Sequence, residues 1–228
     1  MNKLLITGPN KAELVKTPIP AINTNQILIK TICTAISTGT EIRVYRGISI
    51  DAHNKLMFPK ISWDYPVENG YSTVGEIVQI GNEVNGYKIG QRVFTGETHK
   101  QYAACNPADV YKIPDGISSE NAAMLNILQV GHLALRSANP TFGENVIIAG
   151  LGVIGLSTLA YCRAFGFNPI GIETISKRQS IAKTMGITST FNPNEPELQA
   201  KVQNQFGEIL ADFAIEAASS WKAIELCQ

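Results

Sequence analysis

Six residues constrain this chain more than any others: Gly150-Leu151-Gly152-Val153-Ile154-Gly155, a G-x-G-x-x-G that follows the short apolar run Val146-Ile147-Ile148-Ala149. Glycine triplets arise by chance, so the neighbours decide the reading. The triplet opens an amphipathic stretch, Leu151 to Phe165, closed by Gly166, and a second apolar run, Pro169 to Ile172, leads to the acidic Glu173, 18 positions after Gly155. Strand, glycine turn, helix, strand and terminal acid in this order form a dinucleotide-binding fingerprint. Gly150 is expected to make the tight turn, Gly152 to bare the backbone to a pyrophosphate, and Gly155 to let the helix pack close to the strand. The helix-start N–H groups face the phosphates in this reading, and Glu173 takes the ribose diol and repels a 2′-phosphate. That favours NAD(H) over NADP(H). The candidate cofactor-binding residues are Gly150, Leu151, Gly152, Val153, Ile154, Gly155, Glu173 and Arg178. Lys177 and Arg178 are expected to sit in the next helix facing solvent, although a guanidinium so near Glu173 could also meet a 2′-phosphate. The structural alternative is a glycine-rich turn with Glu173 as a solvated strand end.

The rest of the second half keeps the same grammar. Ser176-x-x-Gln179 has the form of a capping box opening a helix that Gly186 closes, and a strand near Thr188 to Phe191, a helix near Glu195 to Phe206 and a strand at Asp212 to Glu216 follow. Alternation of strand and helix implies parallel strands and right-handed crossovers. The first half reads differently. Short β-branched runs such as Gln26 to Thr34 and Thr73 to Ile80 are separated by turn residues, and Gly81, Gly86 and Gly90 are expected at turns of positive φ, as in a small barrel. A helix capped by Ser118 or Ser119 runs to Asn139-Pro140 between the two halves. The expected fold class is α/β, with a substrate domain over residues 1–120 and a dinucleotide-binding domain over 121–228.

Composition narrows the function classes. With 19 basic and 19 acidic residues the net charge is zero, which argues against a nucleic-acid footprint or a polybasic membrane anchor, and no apolar run approaches a membrane span. Cys33, Cys105, Cys162 and Cys227 are far apart and form no C-x2-C pair, and Met1-Asn2-Lys3-Leu4-Leu5 is no secretory signal, so reduced thiols in a cytoplasmic protein are expected.

Further blocks carry a family resemblance: Ser37-Thr38-Gly39-Thr40-Glu41 with Tyr45-Arg46-Gly47, Gly70-Tyr71-Ser72-Thr73-Val74-Gly75-Glu76, Gly90-Gln91-Arg92-Val93 and Pro114-Asp115-Gly116. Together with the fingerprint they resemble the medium-chain dehydrogenase/reductase superfamily over essentially the whole chain. The first two blocks look most like its zinc-independent branch, such as bacteriochlorophyllide dehydrogenase-like proteins. The resemblance implies a GroES-like β-barrel domain followed by a doubly wound Rossmann domain. In zinc-dependent relatives the first block supplies a cysteine where Thr38 stands, and the second reads G-H-E where this chain has Gly70-Tyr71-Ser72. No bound zinc is therefore expected, since Thr and Tyr are poor replacements for Cys and His.

Proton transfer then falls to side chains, and the resemblance points to Thr40, Tyr71 and His132 as catalytic candidates. Each has a plain alternative: a turn hydroxyl, a packed aromatic, a half-buried helical histidine. His53 and His99 are assigned no role, and Glu41 and Arg43 are left to pair locally or to bind substrate. The implied activity is hydride transfer between a nicotinamide and a secondary alcohol or ketone. The alternatives are an enone or quinone reductase and a nucleotide-binding protein without catalysis. The expected partner is a small-molecule substrate. Four strands precede Gln228 where the fold has six, so the Rossmann domain is expected to be incomplete at its C-terminal side, with a homo-oligomer expected if the missing strands are supplied.

Overall fold

A computed structural model describes residues 1–48, 65–207 and 211–227; His53 lies outside them. By contact the chain divides into a unit over Met1–Asn126 and a second over Ile127–Gln228. The sequence placed that change at 120/121. It falls later because Ala123 packs with Val74 and Phe94, which adds the short helix before it to the first unit.

The first unit is built from β1 (Asn2–Gly8), β2 (Lys11–Lys16), β3 (Ile27–Thr34), α1 (Thr40–Arg46), β4 (Val67–Glu68), β5 (Thr73–Ile80), β6 (Arg92–Thr95), β7 (Tyr102–Cys105), β8 (Val110–Lys112) and α2 (Ser119–Ala123). Its strands form two antiparallel sheets, ordered β2-β1-β4 and β7-β3-β5-β6-β8, and a bridge between Lys3 and Lys100 joins them. Alternate residues of the central strands point inward, so Ile27, Ile29, Ile77 and Val93 are wholly buried in one cluster with Ala103 and Val110. Gly86 and Gly90 take the positive φ expected of them, but Gly81 does not. A Cβ on Gly81 would stand 2.3 Å from the Thr24 carbonyl oxygen, so close backbone approach is what requires glycine there.

At the sheet junction Glu68 receives Lys3 at 2.8 Å, the Thr98 hydroxyl at 2.7 Å and Lys100 at 3.4 Å. Partial burial alone would raise its pKa, but the bonds from Lys3 and Thr98 and the nearby lysine charges outweigh it and hold the carboxyl at about 2. A carboxyl depressed in the folded state stabilises it above the unfolded pKa of about 4.3, and that contribution is lost as pH falls toward about 2. The gap in urea midpoint between the wild type and Glu68→Gln should therefore shrink across that window. It is modest because the pair is partly exposed. Midpoints that fall in parallel would show the pairing to be idle.

The second unit continues with α3 (Leu125–Ala138), β9 (Asn145–Ala149), α4 (Val153–Ala164), β10 (Asn168–Ile172), α5 (Ser176–Thr184), β11 (Thr190–Phe191), α6 (Leu198–Phe206), β12 (Phe213–Glu216) and α7 (Trp221–Leu226). The single helix expected after Ser118 is two, α2 and α3, separated at Met124; Ser118 does cap the first by accepting the Asn121 N–H at 3.2 Å. The sheet is parallel in the order β11-β10-β9-β12, with β9 central, as right-handed strand–helix–strand crossovers require. Val146, Ile148, Leu151 and Leu159 are completely buried on one face, with Ile170, Ile172 and Val202 forming a second cluster. Gly131 lets α3 approach α4, since a Cβ would sit 2.6 Å from the Ser157 hydroxyl.

All four cysteines are free thiols. Burial pushes Cys105 and Cys162 up to about 12, which leaves them protonated and unreactive at neutral pH. Among the described residues no helix is long and apolar enough to cross a membrane.

Candidate functional site

The turn after β9 is shaped by three glycines with different tasks. Gly150 adopts φ +96°, and a Cβ there would meet Ala218 at 2.7 Å. Gly152, the residue before α4, has no protein atom within 4 Å of its Cβ position, and no side chain caps the helix. The first N–H groups of α4 thus open onto free space at the positive end of the helix dipole, a place suited to an anion. Gly155 lies one turn in, where a Cβ would be only 1.8 Å from the Gly150 carbonyl oxygen. The remaining members of the hexapeptide divide. Leu151 is fully buried in the core and its N–H is committed to Glu173, so its side chain is not presented to a ligand. Val153 is exposed, and Ile154 offers its carbonyl to the Ser157 and Thr158 hydroxyls.

Glu173 closes β10 with only 5% exposure, and its two oxygens take four donors. Oε2 accepts from the Leu151 N–H at 2.8 Å and Arg178 at 3.2 Å; Oε1 accepts from the Ile175 N–H at 2.9 Å and the Thr174 hydroxyl at 3.2 Å. Burial by itself would raise this carboxyl, but the bonds from Ile175, Leu151, Arg178 and Thr174 outweigh it and hold it below the usual range. Glu173 therefore fastens the glycine turn to the neighbouring strand end, a task its position in the sequence did not disclose. A carboxylate has about four lone-pair sites, so a sugar hydroxyl reaches it by replacing a donor. Arg178, 46% exposed, is the outermost of these.

Two expectations for the start of α5 change with this. Arg178 turns back to Glu173 and does not point away into solvent. The capping box does not form: Ser176 is already helical, Ile175 precedes the helix without a side-chain cap, and Gln179 donates to the Glu173 carbonyl at 2.7 Å.

The three catalytic candidates fall in different surroundings. Thr40 begins α1, with its N–H 3.5 Å from the Ser37 hydroxyl. Tyr71 is half-buried just before β5, and its carbonyl accepts from the Asn126 amide. His132 belongs to the second unit and packs at 5.5 Å from the Tyr161 ring and 5.9 Å from Phe165, in an aromatic group along α4. That packing is the structural alternative weighed for a lone helical histidine.

The first unit also contains a cluster that the sequence left unassigned. His99 Nε2 lies 2.6 Å from Glu41 Oε2, and His99 Nδ1 lies 2.8 Å from the Thr34 hydroxyl. Glu41 is 2% exposed, and its other oxygen accepts the Ser37 N–H at 2.9 Å. The only local signal was an acid inside the Ser37 to Glu41 block; its partner is 58 positions away, at a separation no spacing rule covers.

A zinc site needs three protein ligands of the Cys, His, Asp or Glu type. Among the described residues no three such side chains converge, and the His99 and Glu41 side chains are bonded to one another. Thr38 is exposed and the half-buried Tyr71 carries a phenol, so neither of these two positions offers a Cys or His side chain.

Comparison with known proteins follows the same division. Residues 23–126 match the alcohol dehydrogenase GroES-like domain and residues 153–227 match the zinc-binding dehydrogenase family. A D-guloside 3-dehydrogenase of Shigella flexneri is 29% identical over 99% of this chain and 69% of its own length. An L-threonine 3-dehydrogenase of Pectobacterium carotovorum is 32% identical over 81% of this chain and 60% of its own. The chain thus spans about 60 to 69% of the length of these curated relatives. Among solved structures, one titled a short chain alcohol dehydrogenase from Escherichia coli CFT073, complexed with cofactor NADH, superposes with a TM-score of 0.79 at 21% identity, covering 100% of this chain and 73% of that one. With a unit that matches the alcohol dehydrogenase GroES-like domain followed by a parallel α/β unit that matches the zinc-binding dehydrogenase family, the chain is similar to these dehydrogenases along most of its length.

Proposed function

We propose that this chain is an alcohol dehydrogenase-like oxidoreductase that binds NAD(H) in preference to NADP(H) and works without zinc on a secondary alcohol or the corresponding ketone. One observation carries the reading: open space in front of Gly152, at the uncapped start of α4, behind which Glu173 secures the turn. The residues present fit a dinucleotide. The N–H groups at the start of α4 would hold the diphosphate, and Glu173 would take the adenosine ribose as Arg178 or Thr174 yields its place. When bound, the nicotinamide supplies the hydride acceptor or donor. The chain's own part is to hold the substrate and move a proton at its oxygen, and Thr40 and Tyr71 carry the hydroxyls proposed for that step. The Thr38 and Tyr71 positions lack zinc-type donors, which supports metal-free chemistry in this reading.

Calorimetric titration with NAD+ and NADP+, followed by turnover assays on a panel including L-threonine, a D-guloside, simple secondary alcohols and enones, tests it. Binding of NAD+ with oxidation of an alcohol is the expected result. Turnover confined to enones would move the chain to the reductases, and failure to bind either dinucleotide would end the proposal. Glu173→Ser removes the charge that repels a 2′-phosphate, so the preference for NAD+ over NADP+ should relax by about tenfold, the worth of one such charged contact of about 1.4 kcal/mol. An unchanged ratio would remove Glu173 from cofactor selection.

A further inference from the structure

Residues from β3, α1 and the approach to β5 meet at the imidazole of His99. Thr34 closes β3, Glu41 lies in the first turn of α1, Asn69 and Gly70 precede β5, and His99 itself precedes β7. Beyond its two ring bonds, His99 donates its backbone N–H to the Asn69 carbonyl at 2.9 Å, and the Asn69 amide donates to the Glu41 carbonyl at 3.3 Å. Gly70, at φ +105°, presses its backbone on the ring: a Cβ there would stand 2.9 Å from His99 Cδ2 and Nε2. The His99 side chain is 9% exposed and that of Glu41 3%. The separations of 2.6 Å at Nε2 and 2.8 Å at Nδ1 are hydrogen-bond distances, so both ring nitrogens are engaged, one by the Glu41 carboxyl and one by the Thr34 hydroxyl.

A buried acid–imidazole pair is a poor way to add stability, because desolvation offsets most of the attraction and apolar side chains fill such space as well. A fully satisfied polar network instead fixes position. What it fixes here is specific. Thr40 is the residue before Glu41, and Tyr71 is the residue after Gly70, so the two hydroxyl-bearing residues proposed for proton transfer each adjoin a residue held by His99.

We infer that Glu41 and His99 are positioning residues that lock Thr40 and Tyr71 in register with each other, an inference that rests on the dehydrogenase reading above. Neither residue is assigned contact with substrate.

The test uses the full chain with Glu41→Gln, His99→Gln and His99→Phe. Each variant is assayed for NAD+ affinity by calorimetry, for kcat and KM on the best substrate of the panel, and for amide hydrogen exchange over residues 37–41 and 69–72. In His99→Phe kcat should fall about 10- to 100-fold, the penalty of displacing reacting groups by about 1 Å, while NAD+ affinity and substrate KM stay within about threefold. Glu41→Gln, which keeps an acceptor for Nε2–H, should lose less, and so should His99→Gln. Exchange should quicken in both segments together. An active wild type whose kcat survives all three substitutions, or exchange that quickens in neither segment, overturns the inference alone. Should the wild type bind NAD+ yet turn over nothing on the panel, the dehydrogenase reading fails and the inference falls with it.

Discussion

Gly155→Ala should unfold or strongly loosen the second unit. The added methyl would arrive 1.8 Å from the Gly150 carbonyl oxygen, about half a normal contact distance, and the obstacle is backbone that cannot rotate away. Gly150 is itself held at φ +96° with Ala218 only 2.7 Å from where its own Cβ would be, so moving that carbonyl disturbs a second close contact. Overpacking a core ordinarily destabilises by about 1–3 kcal/mol, and a clash with fixed main chain belongs at or above the upper end. For a chain of this length that is about 6–12 °C in Tm. Thermal melts followed by circular dichroism check this. A melting temperature within a degree of wild type would mean that α4 and the turn are not packed as described.

Gly152→Val, three residues earlier, should leave the fold intact and weaken NAD+ binding. No protein atom lies within 4 Å of the Cβ position, and φ there is −70°, which any residue adopts, so the side chain meets no steric resistance in the protein. β-branching at a position preceding the helix carries little penalty. The isopropyl group would fill the space in front of the first N–H groups of α4, where the diphosphate is proposed to sit. NAD+ affinity should therefore fall at least about tenfold, and about a hundredfold if the phosphate contact is lost outright, equivalent to about 1.4 to 2.8 kcal/mol. The contrast between these two glycines is the informative part. If Gly152→Val melts like the wild type and binds NAD+ as the wild type does, the cofactor lies elsewhere. If it melts early, the open space is not open.

The periodicity that separated two halves, one with strand and turn punctuation and one alternating strands with helices, was written in residues that act locally. Apolar runs of four or five residues between glycines make strands wherever they are placed, and Gly166, Gly186 and Gly207 end α4, α5 and α6 in left-handed or otherwise irregular conformations that other residues avoid. The fingerprint was legible for the same reason: its six residues are consecutive, spanning the turn after β9 and the start of α4. The misreadings arose where one bond could form in two ways. Ser176 and Gln179 satisfy the capping-box pattern, but Ser176 is already the first helical residue and the Gln179 amide donates to the Glu173 carbonyl. Gly81 looks like any turn glycine until Thr24 is seen against it.

Sequence alone thus determined the alternation of strands and helices in the second half, the two-part architecture, and the glycine turn with its acid, because each depends on residues within about twenty positions of one another. Only the tertiary structure decided that Glu173 is first of all a clasp for its own turn, that His132 packs among aromatic rings, and that His99 and Glu41 are hydrogen-bonded in the interior of the first unit. Those outcomes depend on which distant segments close on one another. A buried polar group bonds to whatever donor or acceptor the fold delivers, and nothing in the local sequence names that partner.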